Sequence, residues 1–297
     1  MKKLPLFLLV LFLFFGQWAS PSQIPDLKNV RIITTHVAGP VYMLEATGDV
    51  AGNIGVSAGP DGILLIDTQF APLADRIEGA LQSITDGKIR YIVNTHHHED
   101  HSFGNRVLGQ RALIISHSKT QSRLLDMSPE NRPDLSFEKK MSIFFNREEI
   151  QLVHFPPGHT DNDVVVHFTK SNVFHLGDLW NSGISSFPTV DIDAGGSVRG
   201  MLKNLEDLIK IIPPDAKIIP GHYALSDLND LERTRTMIVE TLSLVQNKME
   251  TGKSLEEIKA EGLPSKYEKW GTAYTSADKW IENAYKSLQK EKSADIK

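Results

Sequence analysis

The chain contains no cysteine. A thiolate is therefore excluded as nucleophile and as metal ligand, no lipid-modified cysteine can serve as an anchor, and no disulfide can brace the fold. Stability has to come from a buried core, which 297 residues are enough to build. An excess of positive charge is also missing. Lys and Arg number 32 against 37 Asp and Glu, a net charge of −5. Nucleic-acid binders carry the opposite balance, so no nucleic-acid partner is expected. Nor is there an apolar run long enough to span a bilayer comfortably. The one candidate, residues 4–15, follows Lys2 and Lys3 and precedes the small residues Gly16, Ala19, Ser20 and Ser22. That is the pattern of a secretory signal peptide. The sequence thus predicts a signal peptide over 1–22, a single domain over 23–297, export to the periplasm or medium, and no stable membrane insertion after signal removal. Taking away Lys2 and Lys3 leaves 32 − 2 basic residues against 37 acidic ones, a net charge of about −7. No internal repeat is visible, and no motif specifies an oligomeric state.

What is present reads as alternating strands and helices. Residues 30–35, 41–45, 53–57 and 63–68 have strand character, punctuated by Gly39-Pro40 and Gly59-Pro60-Asp61-Gly62. Leu73, Ile77, Leu81 and Ile84 recur at helical spacing. Strands are expected at 89–94, 112–116, 149–155, 163–169, 172–176 and 216–219. Helices are expected at 119–127, 198–212, 226–250, 254–260 and 276–290. The polar, proline-bearing stretch 128–149 reads as a loop or lid.

Against this background the run His96-His97-His98-Glu99-Asp100-His101 stands out, with four histidines and two carboxylates in six positions directly after a strand. Neutral imidazole and carboxylate are the ligands zinc takes. So many histidines would be hard to satisfy as packing, because each buried ring nitrogen needs its own partner. Further on, His159 follows Pro156-Pro157-Gly158, Asp178 follows Gly177, and His222 follows Pro220-Gly221, each just past a predicted strand. Loops at strand ends, held by a rigid sheet, are a common place to build a site.

The pattern His96-x-His98-x-Asp100-His101, then His159, Asp178 and His222, together with the strand Leu65-Ile66-Asp67-Thr68, resembles the metallo-β-lactamase superfamily. The resemblance spans nearly the whole mature chain. It implies an α/β (α+β) fold, the four-layer αββα sandwich, with the site at one edge of the sheets. It also implies one ion held by His96, His98 and His159, a second held by Asp100, His101 and His222, and Asp178 bridging them. Two zinc ions per chain are expected, with iron or manganese as alternatives. Paired ions hold a hydroxide between them at neutral pH and polarise the bond under attack. Asp100 is suited to orient that hydroxide and shuttle its proton.

These features predict a binuclear zinc hydrolase acting on a small-molecule substrate through an amide, lactam, lactone or ester bond. Asp178 inclines the resemblance toward its lactonase-like and general hydrolase branches. Two alternatives carry different chemistry: an iron-dependent persulfide-dioxygenase-like oxidoreductase, and a non-enzymatic metal-binding relay partner of a periplasmic quinoprotein system. Asp67 reads either as a carboxylate fixing a ligand histidine or as a turn cap. His97 and Glu99 read as spacers. His36, His117, His154, His167 and His175 read as surface or core histidines. Trp180 and Phe187 are candidates for a pocket wall or for core, and Asn181 or Tyr223 for an oxyanion donor.

Overall fold

The strand Gly62–Ile66 buries apolar side chains on both faces. Ile63 and Leu65 enter one apolar cluster and Leu64 and Ile66 another, the signature of a strand inside a layered protein. The computed structural model describes residues 25–48, 50–183 and 186–294 and has that layered form. The expected signal peptide over 1–22 lies outside the described residues.

The first sheet holds seven strands in sequence order: β1 (Ile32–Ala38), β2 (Val41–Ala46), β3 (Ile54–Gly59), β4 (Gly62–Ile66), β5 (Ile89–Val93), β6 (Leu113–His117) and β7 (Leu135–Phe137). The second contains β8 (Lys140–Phe145), β9 (Glu148–His154), β10 (Val164–Phe168), β11 (Val173–His175) and β12 (Lys217–Ile219), in the reverse order β12 to β8. Between the sheets, Met43, Leu64, Ile66 and Val93 meet Ile150, Leu152, Val166 and Phe168.

On the outer face of the first sheet, α1 (Ala74–Gln82) buries Ile77 and Leu81, the face predicted from its spacing. Two short helical turns follow, α2 (Glu99–Ser102) and α3 (Asn105–Leu108), then α4 (Ser118–Met127). The second sheet is covered by α5 (Val198–Ile211), α6 (Leu228–Glu250), α7 (Leu255–Glu261) and α8 (Ala277–Ala294). Their apolar faces share a cluster with Val165, Phe174 and Ile218 of that sheet. The layers are therefore αββα. Among the described residues, no helix is long and apolar enough to cross a membrane.

Strand direction positions the site. β4 and β5 run parallel. β9 and β11 each pair antiparallel with β10, so they share a direction, and β12 runs parallel to β11. The segments leaving the C-terminal ends of these five strands carry Asp67, His96, His159, Asp178 and His222.

Residues 128–149 depart from the expected loop or lid. They supply β7 and β8, each at the edge of its sheet, and start β9. In β8, Ile143 and Phe145 are buried while Phe144 is 79% exposed. This is the period of two of a half-buried strand, and the prolines and charges around it concealed it.

Candidate metal centre

A chain leaving a buried strand must satisfy its free backbone groups locally, and here the turns after β4 and β5 do so for each other. The Asp67 carboxylate accepts from Thr95 N at 2.7 Å, Thr95 Oγ1 at 2.7 Å and His101 Nδ1 at 2.8 Å. Asp67 has φ +68°, a left-handed conformation that aspartate tolerates better than most residues. Further bonds join the remaining loops: Thr68 N to His101 O (2.8 Å), Val164 N to Thr95 O (2.9 Å) and Asn53 N to Gly221 O (2.7 Å). The last two cross between the two sheets.

All seven residues proposed as ligands come together at this edge. His98 Nδ1 lies 3.0 Å from His96 Nε2 and 2.9 Å from His159 Nε2. Three nitrogens on one tetrahedral zinc would stand roughly 3.3 Å apart, so the group fits an ion with a small expansion. The second group is Asp100, His101 and His222. His222 Nε2 is 3.1 Å from Asp100 Oδ2 and 3.4 Å from His101 Nε2. Asp178 stands between the groups. Its Oδ2 is 3.7 Å from His159 Nε2, and its Oδ1 is 3.1 Å from His101 Nε2 and 3.5 Å from His222 Nε2. That buried Oδ1 makes no properly directed hydrogen bond among the described residues. An orphaned carboxylate oxygen beside converging imidazoles is an arrangement a cation completes.

The outer nitrogens of the first group fix its tautomers. Thr95 Oγ1 spends its hydrogen on Asp67, so it accepts from His96 Nδ1 at 3.0 Å. His159 Nδ1 donates to Thr189 O at 2.8 Å, and His98 Nε2 donates to Asp191 Oδ2 at 3.0 Å. Carbonyl and carboxylate oxygens only accept. Each ring therefore carries its proton outward and turns a lone pair inward.

Electrostatics separate the two groups. Burial drives His96 well below the ordinary histidine range and His159 down to about 4. Burial opposes protonation of His101 and His222 too, but nearby carboxylates outweigh it. Asp100, Asp178 and Asp67 raise His101 well above its usual value, and Asp178 and Asp100 raise His222 to about 10. In turn, burial opposes ionisation of the carboxylates and these histidines overcome it, holding Asp178 well below its usual range and Asp100 down to about 2.

Glycine permits this crowding. A Cβ on Gly221 would lie 2.0 Å from Asp178 Oδ1, and one on Gly52 would lie 2.2 Å from His101 Cε1.

The other candidates sort plainly. His97 is buried, with Nδ1 3.3 Å from Asn162 Oδ1, while Glu99 is half-buried on α2. His117 and His154 stack on each other, and His167 stacks on Phe174. His36 reaches Gly39 O, and His175 is buried, accepting from Gly177 N. Trp180 and Phe187 are core: Trp180 donates to Thr234 Oγ1, and Phe187 stacks on Trp280. Asn181 spends its oxygen on His222 N at 3.0 Å, and Tyr223 lends its carbonyl to Asn53.

Residues 189–191 and 274–275 were not singled out from the sequence. Asp191 N donates to His159 O (2.9 Å), so this segment touches His159 at two points. Thr275 Oγ1 lies 2.9 Å from Thr189 Oγ1, and Thr275 N donates to Ser186 Oγ at 3.0 Å. Beside it, Tyr274 is exposed, and its phenol is raised by desolvation and then by Asp100, Asp178 and Asp191. No local spacing marks these residues; they reach the site only through the folded chain.

A family model described as Metallo-beta-lactamase superfamily matches residues 47–120. A hydroxyacylglutathione hydrolase from Prochlorococcus marinus is 28% identical over 183 residues, 56% of this chain; the chain spans 65% of that relative's length. A type 2 metallo-beta-lactamase from Elizabethkingia meningoseptica is 24% identical over 238 residues, 76% of this chain and 88% of its own. Among solved structures, the metallo-beta-lactamase DIM-1 aligns with TM-score 0.61 at 17% identity, covering 71% of this chain and 99% of that one. A double mutant of the sec-alkyl sulfatase PisA1 aligns with TM-score 0.70 at 14% identity, covering 87% of this chain and 50% of that one. At these identities the structures speak for the fold alone.

Proposed function

Because the chain belongs to the metallo-beta-lactamase superfamily, we propose that it is an exported binuclear zinc hydrolase cleaving an amide, lactam, lactone or ester bond. The observation that carries this reading is Asp178, one carboxylate oxygen turned to each of two ligand groups. Two divalent ions held there would supply an acidified water and the positive charge to polarise a carbonyl. The chain's own residues do the rest. Asp100 lies at the mouth with its side chain one-quarter exposed, and its carboxylate is ionised at neutral pH. It orients the attacking water and takes its proton on a carboxylate oxygen. Export rests on the pattern in residues 1–22.

One preparation tests the reading through its metal content and a substrate panel of β-lactams, acyl lactones, aryl esters and acyl thioesters. Two zinc ions per chain and chelator-sensitive turnover on one of these classes are expected. A single iron per chain, or no turnover on any class, would sink it.

The unequal electrostatics predict unequal proton release on metal loading. Near pH 7.5 His96 and His159 of the metal-free first group hold no proton on their inward nitrogens, because burial keeps both well below the ordinary histidine range. His101 and His222 are protonated there. Loading the second group should therefore release about two protons, one each from His101 and His222, whereas His96 and His159 contribute none to loading of the first. Titration calorimetry in buffers of different ionisation heat measures both; equal release by the two ions would refute the assignment. The same shifts bear on the stability of the metal-free fold. The contribution of His222 is complete below pH 6.5 and lost as pH rises through about 10. That of Asp100 is present above pH 3.8 and lost as pH falls through about 2.

A further inference from the structure

Three acceptors hold the outer nitrogens of the first group, and they differ in kind. His96 leans on the Thr95 hydroxyl and His159 on the Thr189 carbonyl, both neutral. His98 leans on a carboxylate, Asp191 Oδ2, at 3.0 Å. His98 is also the odd ring of the three. It turns Nδ1 inward where the other two turn Nε2, and its side chain is 25% exposed where that of His159 is 1% exposed. It is the ligand that packing restrains least.

We propose that Asp191 is the positioning residue of the first metal group. Its carboxylate fixes the proton of His98 on Nε2 and aims Nδ1 at the point where His96 and His159 converge. The proposal rests on the reading that these three histidines hold an ion.

Asp191 is itself held for the task. Its second oxygen, Oδ1, accepts from Ala194 N at 2.8 Å, and its carbonyl accepts from Gly196 N at 2.7 Å. Its own N–H is bonded to His159 O at 2.9 Å. A Cβ on Gly196 would lie 2.3 Å from His159 O, so the close packing of this turn against the His159 loop requires glycine there. One segment therefore ties together two of the three ligands, and a change in the set of His98 is felt at His159. A carboxylate on the far nitrogen also makes the ligand imidazole more basic than a neutral partner would.

The test compares wild type with Asp191→Asn, Asp191→Glu and the charge control Asp193→Asn. Asparagine offers one oxygen to the two donors, His98 Nε2 and Ala194 N. Zinc affinity is read for each ion by competition with a chelator, and the visible spectrum of the cobalt form reports the ligand field. Melting of the metal-free protein reports folding. Asp191→Asn should weaken the first ion by about 10–100-fold, shift the cobalt spectrum and leave metal-free melting nearly unchanged. Asp191→Glu should recover part of the loss, and Asp193→Asn should match wild type. An unchanged first-ion affinity in Asp191→Asn overturns the proposal, as does an equal loss in Asp193→Asn or a loss matched by a collapse in metal-free melting. A wild-type chain that binds no ion at all overturns the reading of the site and this proposal with it.

Discussion

Asp100→Ala is expected to lower turnover by about 10²–10⁴-fold on whatever substrate the wild type cleaves. The substitution removes a carboxylate with two duties. Its Oδ2 is 3.1 Å from His222 Nε2 and 3.5 Å from His101 Nε2, so it contributes to the second group. It also lies at the mouth, ionised and placed to accept a proton. The first group does not include it, and its side chain supports no strand or helix packing. The variant should therefore keep the far-ultraviolet spectrum of wild type and retain one tightly bound ion, with the second weakened. Asp100→Asn separates the duties further, since it can still bind through oxygen but takes a proton poorly. Turnover within about threefold of wild type in the alanine variant would remove Asp100 from the chemistry.

Asp67→Ala should have its largest effect on stability. The carboxylate is fully buried and takes three hydrogen bonds, one of them from His101. Breaking a buried charged arrangement from one side costs about 3–5 kcal/mol. Alanine at φ +68° adds about 1 kcal/mol of backbone strain. Together these lower Tm by on the order of 10 °C in a chain of this size. Asp67→Asn keeps an acceptor and tolerates the left-handed backbone, so it should lose less. Scanning calorimetry of the metal-free proteins decides; a shift below about 3 °C in the alanine variant would mean that the turn stands without its carboxylate. The second ion should weaken in parallel, because His101 loses the partner that sets its ring.

The histidine run and the three later candidate positions were legible because each sits just past a strand whose apolar residues announce it. His96 after Ile92-Val93 and His222 after Ile218-Ile219 are of this kind. The four layers could be read only through the resemblance; the alternation of strands and helices marks an α/β chain and no more. Asp67 was half legible: its place after Ile66 was clear, but only the fold shows that its acceptors meet Thr95 and His101 rather than cap a turn. Asp191 and Thr189 could not be read. They lie in irregular segments where no period relates one residue to the next, and they meet the site through contacts of long sequence separation. β8 was hidden for a different reason. It is an edge strand with Lys140, Ser142 and the exposed Phe144 on its open face, so polarity masked a period of two.

The bond between Thr275 and Thr189 has a consequence for the order of events as the chain is made. The Thr189 carbonyl accepts the hydrogen bond of His159 Nδ1, and Thr275 steadies Thr189 from a segment that precedes α8. Synthesis runs from the N-terminus, and segments fold as they become available. The six-residue run at 96–101 emerges early, with His98 and His101 already present, yet nothing then holds His159 in its final setting. The first ligand group is complete only once residue 275 has emerged and α8 has docked beside α5 and α6. Any ion the group holds would find its three nitrogens in place only late in folding, and one arriving sooner would meet an unfinished set.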